Sequence, residues 1–211
     1  SAAGVPDIDI AITTRELAKL IKRCGILFTE LPDEQFDAPL GISSGAGLIF
    51  GATGGVMEAA LRTVGEIVTG KEAKSLDFKE VRGTKGIKEA AYDIGGTKVK
   101  VAVASGLANA RKLMEEVRAG KADFHFIEIM SCPGGCVNGG GQPINSAFVR
   151  NNKDVPALRA KAIYDADKKM KLRKSHENPV IKELYDEFLG KPNSHLAHEL
   201  LHTKYVPRNN Y

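Results

Sequence analysis

Only three of the 211 residues are cysteine, too few for the disulfide framework that staples small secreted domains. No stretch approaches the roughly 20 continuous apolar residues that a membrane-spanning helix needs. The first residues, Ser1 to Asp9, lack the basic-then-apolar order of a secretion signal, so a cytoplasmic location is expected. An initiating methionine is missing too, and Ser1-Ala2-Ala3-Gly4 reads as a processed product or a segment of something longer. Thirty basic residues against 26 acidic ones leave a net charge of +4, with the lysines dispersed among acids and no aromatics interleaved. That pattern excludes the basic stripe of a nucleic-acid binder. What is present is 43% hydrophobic residues, enough to bury one substantial core or two small lobes sharing an interface.

Local patterns then divide the chain. Thr13-Thr14-Arg15-Glu16 is a capping box that should open a helix, and Leu17, Leu20, Ile21 and Cys24 fall on one apolar stripe closed by Gly25. On that stripe Cys24 is expected in the core. A short apolar run, Gly47-Leu-Ile-Phe50, meets Gly51-Ala-Thr-Gly-Gly55, after which Met57, Ala60, Leu61, Val64 and Val68 mark a second helix. Unshielded amides at such a helix start can hold an anion, or the glycines simply make a tight turn. Residues 87 to 94 and 97 to 104 flank Gly95-Gly96, the signal of a hairpin. A strand (98 to 104), a helix (107 to 118) and a strand (124 to 130) follow, which predicts a parallel βαβ unit. Farther on, Asn178-Pro179 should start a helix with Leu184, Tyr185 and Phe188 on one face and Gly190 as its stop. Ser194 should cap a last short helix carrying His195, His198, Leu201 and His202.

The chemistry concentrates where the strand Phe124–Met130 runs into Ser131-Cys132-Pro-Gly-Gly-Cys136. Sites in open α/β sheets cluster at the carboxyl ends of strands. Thiolates suit iron and zinc, and Gly139-Gly140-Gly141 lets backbone approach a bulky centre and point amides at its sulfurs. Two thiolates are half the usual set for a four-iron cube. Spacing alone leaves three readings open: an iron–sulfur site completed from elsewhere, a redox dithiol, or a structural loop. Glu128, beside the loop, is read as a salt-bridged or solvated carboxylate in preference to a proton relay, and His125 as a satisfied or exposed histidine.

The segment Glu128-Ile-Met-Ser-Cys-Pro-Gly-Gly-Cys-Val-Asn-Gly-Gly-Gly-Gln142-Pro143 resembles the last signature of the iron-only hydrogenases. Phe50-Gly-Ala-Thr-Gly-Gly-Val-Met-Glu-Ala-Ala-Leu-Arg62 is similar to another signature of that family, and Thr13-Thr-Arg-Glu-Leu-Ala-Lys19 to its lead-in. Ser175-His-Glu-Asn-Pro179 and Ala197-His-Glu-Leu-Leu-His-Thr203 resemble its carboxyl-terminal elements. The resemblance implies an H-cluster: a 4Fe-4S cube joined through a cysteine sulfur to a two-iron subcluster bearing CO, cyanide and a bridging dithiolate. It makes Cys132 a cube ligand and Cys136 the bridging thiolate. Met130 matches a residue packed against the two-iron unit, and Phe50, Gly51, Ala52, Thr53 and Gly54 match the segment lining its pocket.

Two further family signatures, a Thr-Ser-Cys-Cys-Pro type and a Met-Pro-Cys type, do not occur in the chain. The resemblance therefore implies that the other cube ligands come from an upstream half of the same hydrogenase or from a partner chain. Ferredoxin or an NAD(P)-linked subunit would take the electrons. The expected fold is α/β, a mostly parallel sheet flanked by helices, amounting to about one lobe plus part of the second of the hydrogenase domain. Residues 1–150 are expected to be the carboxyl-terminal part of that catalytic domain, and 151–211 a helical, small-subunit-like tail. The implied activity is reversible oxidation of H2. Two rivals remain: a hydrogenase-like iron–sulfur assembly protein, which usually departs from the Phe50–Glu58 segment, and a catalytically inert fragment or interaction subunit.

Overall fold

In the computed structural model, residues 8–35, 37, 41–72 and 75–202 are described. The terminal residues 1–7 and 203–211, where the start motif and the end of the last family segment fall, lie outside them. In chain order the described elements are α1 (Thr14–Arg23), α2 (Gly45–Leu48), α3 (Gly55–Thr69), β1 (Ile87–Ile94), β2 (Thr97–Ser105), α4 (Leu107–Arg118), β3 (Phe126–Met130), α5 (Ala147–Asn152), α6 (Val155–Lys169), α7 (Pro179–Leu184) and α8 (His195–Leu201).

The hairpin forms where the paired glycines place it. Gly95 and Gly96 both take positive φ, 62° and 84°, the geometry of a two-residue turn whose twist matches the strands it joins. Ile94 pairs with Thr97 and Ile87 with Ala104. The βαβ unit also forms: β3 runs parallel to β2, with Val101 opposite Phe126 and Ser105 opposite Met130, and α4 makes the crossover. β2 is thus the middle strand, with one antiparallel and one parallel neighbour.

Alternation along β2 sends side chains to two cores. Val101 and Val103 join Met57 and Leu61 of α3, Val81 and Ile94. Ala102 and Ala104 face the other way against Leu113 of α4. Burying side chains such as Met57 and Leu61 is worth about 1.5–3 kcal/mol each, so the α3 face of the sheet is a principal source of stability. The small alanines opposite let α4 approach closely.

Three expectations are corrected. α1 forms with both halves of its capping box, yet Cys24, Leu17 and Leu20 are exposed. The helix meets the rest of the molecule at its first turn, where Arg15 N–H donates to the Gly141 carbonyl at 3.2 Å, so its apolar stripe finds no partner among the described residues. In α3, Val64 and Val68 are exposed, whereas Glu58 and Arg62 are fully buried, because one side of this helix packs on ionic partners. In the tail, Tyr185–Leu189 is a π-helical turn, and the extra residue per turn rotates Leu189 inward and Phe188 outward. Asn178 and Ser194 cap α7 and α8 as their sequence positions predict.

Candidate metal centre

Cys132 and Cys136 stand just past the carboxyl end of β3, one half-buried and the other exposed, and both are free thiols. The loop is tied by its own backbone. Gly135 N–H donates to the Cys132 carbonyl (3.0 Å) and Gly139 N–H to the Cys136 carbonyl (2.9 Å). Gly134 and Gly135 take φ of 81° and 98°, a conformation that side chains resist, so the Pro-Gly-Gly spacer is required for this path. A Cβ on Gly139 would lie 3.9 Å from the Cys132 sulfur, so backbone approaches that sulfur without obstruction.

The second glycine segment lies directly against this loop. Thr53 N–H donates to the Gly134 carbonyl at 3.2 Å, and a Cβ on Gly135 would come within 2.5 Å of the Thr53 nitrogen and 2.8 Å of the Gly51 carbonyl oxygen. Residues 50–54 and 132–136, some 80 positions apart, therefore share one site. Ala52, Thr53 and Gly54 are buried, Gly51 is half-buried and the Phe50 ring is exposed. Met130 is half-buried at the end of β3, opposite Ser105.

The anion at the glycine-rich helix start is the protein's own. Gly54 has no side chain with which to cap α3, and Glu128 of β3 supplies the cap: its two carboxylate oxygens accept from Gly54 N–H (2.6 Å) and Met57 N–H (2.7 Å). Glu128 points to this face because it lies opposite Val103, whose side chain faces α3. It is buried as a capping acceptor, a role the sequence reading did not assign. Nearby, the buried Lys88 ammonium donates to the Thr53 carbonyl (3.0 Å) and the Gly83 carbonyl (2.8 Å). Burial pushes its pKa down to about 8, and the Glu128 charge opposes part of that shift.

A third layer fixes α3 itself. Arg62 binds Glu58 at 2.8 Å and Asp167 of α6 with both guanidinium nitrogens at 2.9 Å. Arg82 binds Glu58 and Asp77, and Arg173 binds Asp167 and Asp77. Burial works against charged Arg62, but its bonds to Asp167 and Glu58 outweigh that cost and raise its pKa. The sequence reading missed this network. Its one local signal was Glu58 and Arg62 at i, i+4 inside an apolar helix.

The donor set suits part of an iron–sulfur centre. Two thiols share one loop of largely side-chain-free backbone, and among the described residues no group of three or more cysteines, histidines and carboxylates forms around them. Elsewhere Glu66, His176 and Glu177 come together, but the Lys174 ammonium sits between the carboxylates at 2.8 and 2.7 Å and takes the place of a cation. In α8, His195 is exposed while the rings of His198 and His202 stack at 4.1 Å.

Two family profiles match the chain. The profile described as "Iron only hydrogenase large subunit, C-terminal domain" matches residues 1–140, and "Iron hydrogenase small subunit" matches residues 153–208. The chain is 54% identical over 208 residues to the NADP-reducing hydrogenase subunit HndD of Solidesulfovibrio fructosivorans, covering 99% of this chain and 35% of that protein. It is 57% identical over 143 residues to the periplasmic [Fe] hydrogenase large subunit of Nitratidesulfovibrio vulgaris, covering 68% and 34% respectively. More distantly, it is 30% identical over 206 residues to Protein NAR1 of Arabidopsis thaliana, covering 95% of this chain and 43% of that protein. Among solved structures, a single-residue variant of the [FeFe]-hydrogenase HydA1 from Chlamydomonas reinhardtii matches with a TM-score of 0.71 and 44% identity, covering 94% of this chain and 56% of that one. The chain spans about a third of the length of the first two of these curated relatives.

Proposed function

Because the chain belongs to the iron-only hydrogenase family, we propose that it forms the carboxyl-terminal part of a hydrogenase catalytic unit and supplies two of the four cysteine ligands of an H-cluster. The convergence of the Cys132–Cys136 loop with the Phe50–Gly54 turn, tied by Thr53 N–H to the Gly134 carbonyl at 3.2 Å, carries this reading. In it, Cys132 and Cys136 would hold the group, a 4Fe-4S cube with a two-iron subcluster bearing CO, cyanide and a bridging dithiolate. When bound, that group supplies the reversible splitting of hydrogen and the route for electrons.

The chain's own residues do the holding and shaping. The Pro-Gly-Gly spacer holds the two thiols in one tight loop, and the glycines at 134, 135 and 139 keep side chains out of the space a cluster needs. Glu128 fixes the start of α3, and through it the Ala52–Gly54 backbone, and in this reading the exposed Phe50 and half-buried Met130 would supply apolar surface toward the group. The remaining cube ligands come, in this reading, from an upstream half of the same enzyme or a partner chain, and a ferredoxin or NAD(P)-linked subunit accepts the electrons. Residues 1–150 then serve the catalytic domain and 151–211 the small-subunit-like tail. No helix among the described residues is long and apolar enough to cross a membrane, and the cytoplasm is the proposed setting.

Infrared spectroscopy of the parent protein after maturation tests this, since metal-bound CO and cyanide absorb where protein groups do not. Bands in that window are expected, and Cys136→Ala should lose them while a cube signal survives in part. Silence in the wild type would instead favour an iron–sulfur assembly role, the reading supported by 27% identity over 203 residues to cytosolic iron-sulfur assembly component 3 of Mus musculus.

A further inference from the structure

One face of α6 meets every part of the cysteine site. Pro156 lies by Gly134, with 3.4 Å between its Cβ and a Cβ built on that glycine. Ile163 approaches Gly51 in the same way at 3.3 Å. Ala160 and Tyr164 pack on Ile49 and Ala52, and Asp167 binds Arg62. These positions repeat at helical spacing, so a single rigid element touches both glycine segments.

Arg159 lies on the same face and does something the apolar contacts cannot. Its guanidinium donates to the Val137 carbonyl at 3.0 Å and to the Pro143 carbonyl at 2.9 Å. Those two carbonyls bracket Gly139-Gly140-Gly141, the most conformationally free stretch of the site, and Val137 directly follows Cys136. Within the bracket, the Gln142 N–H reaches the Gly139 carbonyl only at 3.4 Å, so this internal bond is weak, and the Arg15 N–H of α1 meets the Gly141 carbonyl at 3.2 Å. A planar fork closes this bracket with two separated, rigidly placed donors, a match that a single ammonium nitrogen makes less well.

We infer that Arg159 is a positioning residue, clasping the 137–143 loop from the tail and thereby setting the geometry in which Cys132 and Cys136 meet a metal. The inference rests on the proposed cluster-ligand role, but the order of the loop can be read without any metal. Loss of the clasp would leave the fold intact, since α6 keeps its apolar contacts and its Asp167–Arg62 bond, while the glycine loop gains freedom.

Three forms of the 211-residue chain test this: wild type, Arg159→Gln and Arg159→Lys. Without metal, the Gln variant should exchange its amides at 138–142 about tenfold faster than wild type, at an unchanged overall melting temperature, with Lys in between. After iron–sulfur reconstitution together with the remaining ligand-bearing half, the Gln variant should release iron to a chelator several times faster, with partial rescue by Lys. Unchanged exchange would overturn the clasp. Faster exchange with unchanged iron release would overturn the positioning role and leave Arg159 a structural residue. A wild type that takes up no iron would sink the proposed ligand role instead, and the exchange comparison would still decide whether the clasp exists.

Discussion

Arg62 and Asp167, 105 residues apart in sequence, meet in a two-pronged ion pair with both contacts at 2.9 Å and with side chains 0% and 1% exposed. One lies in the segment matching a hydrogenase large subunit and the other in the segment matching a small subunit. The two segments are therefore joined by a dry, charged contact beside the apolar packing of Tyr164 on Ile49 and Ala52. Such a pair gains little net stability when intact, because both charges gave up water, but losing one member strands the other.

Asp167→Ala should therefore lower the stability of the chain by about 3–5 kcal/mol, measured by urea denaturation. Burial works to raise the Asp167 pKa, yet its bonds from Arg62 and Arg173 hold it below the ordinary 3.8. The stabilisation is thus full above that value and is lost as pH falls below it, so the gap between wild type and variant should close in acid. A gap that did not begin to narrow below pH 3.8 would contradict the pairing.

Glu128→Gln separates a capping carboxylate from a proton relay. The amide keeps one acceptor oxygen but turns an NH2 group toward a second N–H donor, at a cost of about 1–3 kcal/mol. The urea midpoint should drop accordingly. An unchanged midpoint would overturn the capping role.

Lys88 has a folded pKa of about 8 against an ordinary value of 10.5. Between those values the unfolded chain binds more protons than the folded one, so stability contributed by this residue rises with pH across that window. Compared with Lys88→Met, the wild type should gain stability from pH 8 to 10.5 and show no such relative change from pH 6 to 7.5. Parallel pH profiles of the two proteins would refute the burial of a charged ammonium there.

Much of this was legible in the residues. The Gly95-Gly96 turn, the βαβ order, the Thr13, Asn178 and Ser194 caps and the cysteine loop at a strand end all follow from interactions spanning a few residues. Turn sterics, capping geometry and side-chain periodicity are written locally, and here the tertiary fold does not override them. Cys24 shows where that reasoning stops: a stripe predicts that a helix has an apolar face, not that anything covers it. Leu189 shows another limit, since one extra residue in a turn rotates everything beyond it.

The sequence alone singled out Cys132 and Cys136 for the proposed ligand role, because their spacing within a glycine-rich loop is carried by the chain itself. Only the tertiary structure decided what surrounds them. That Glu128 caps α3, that Arg62 reaches Asp167 and that Arg159 spans Val137 and Pro143 are pairings between segments distant in the chain. A charged residue's local pattern is the same whether it ends in water or against a buried partner. Burial, which sets the strength of each of these interactions, is a property of the packed whole.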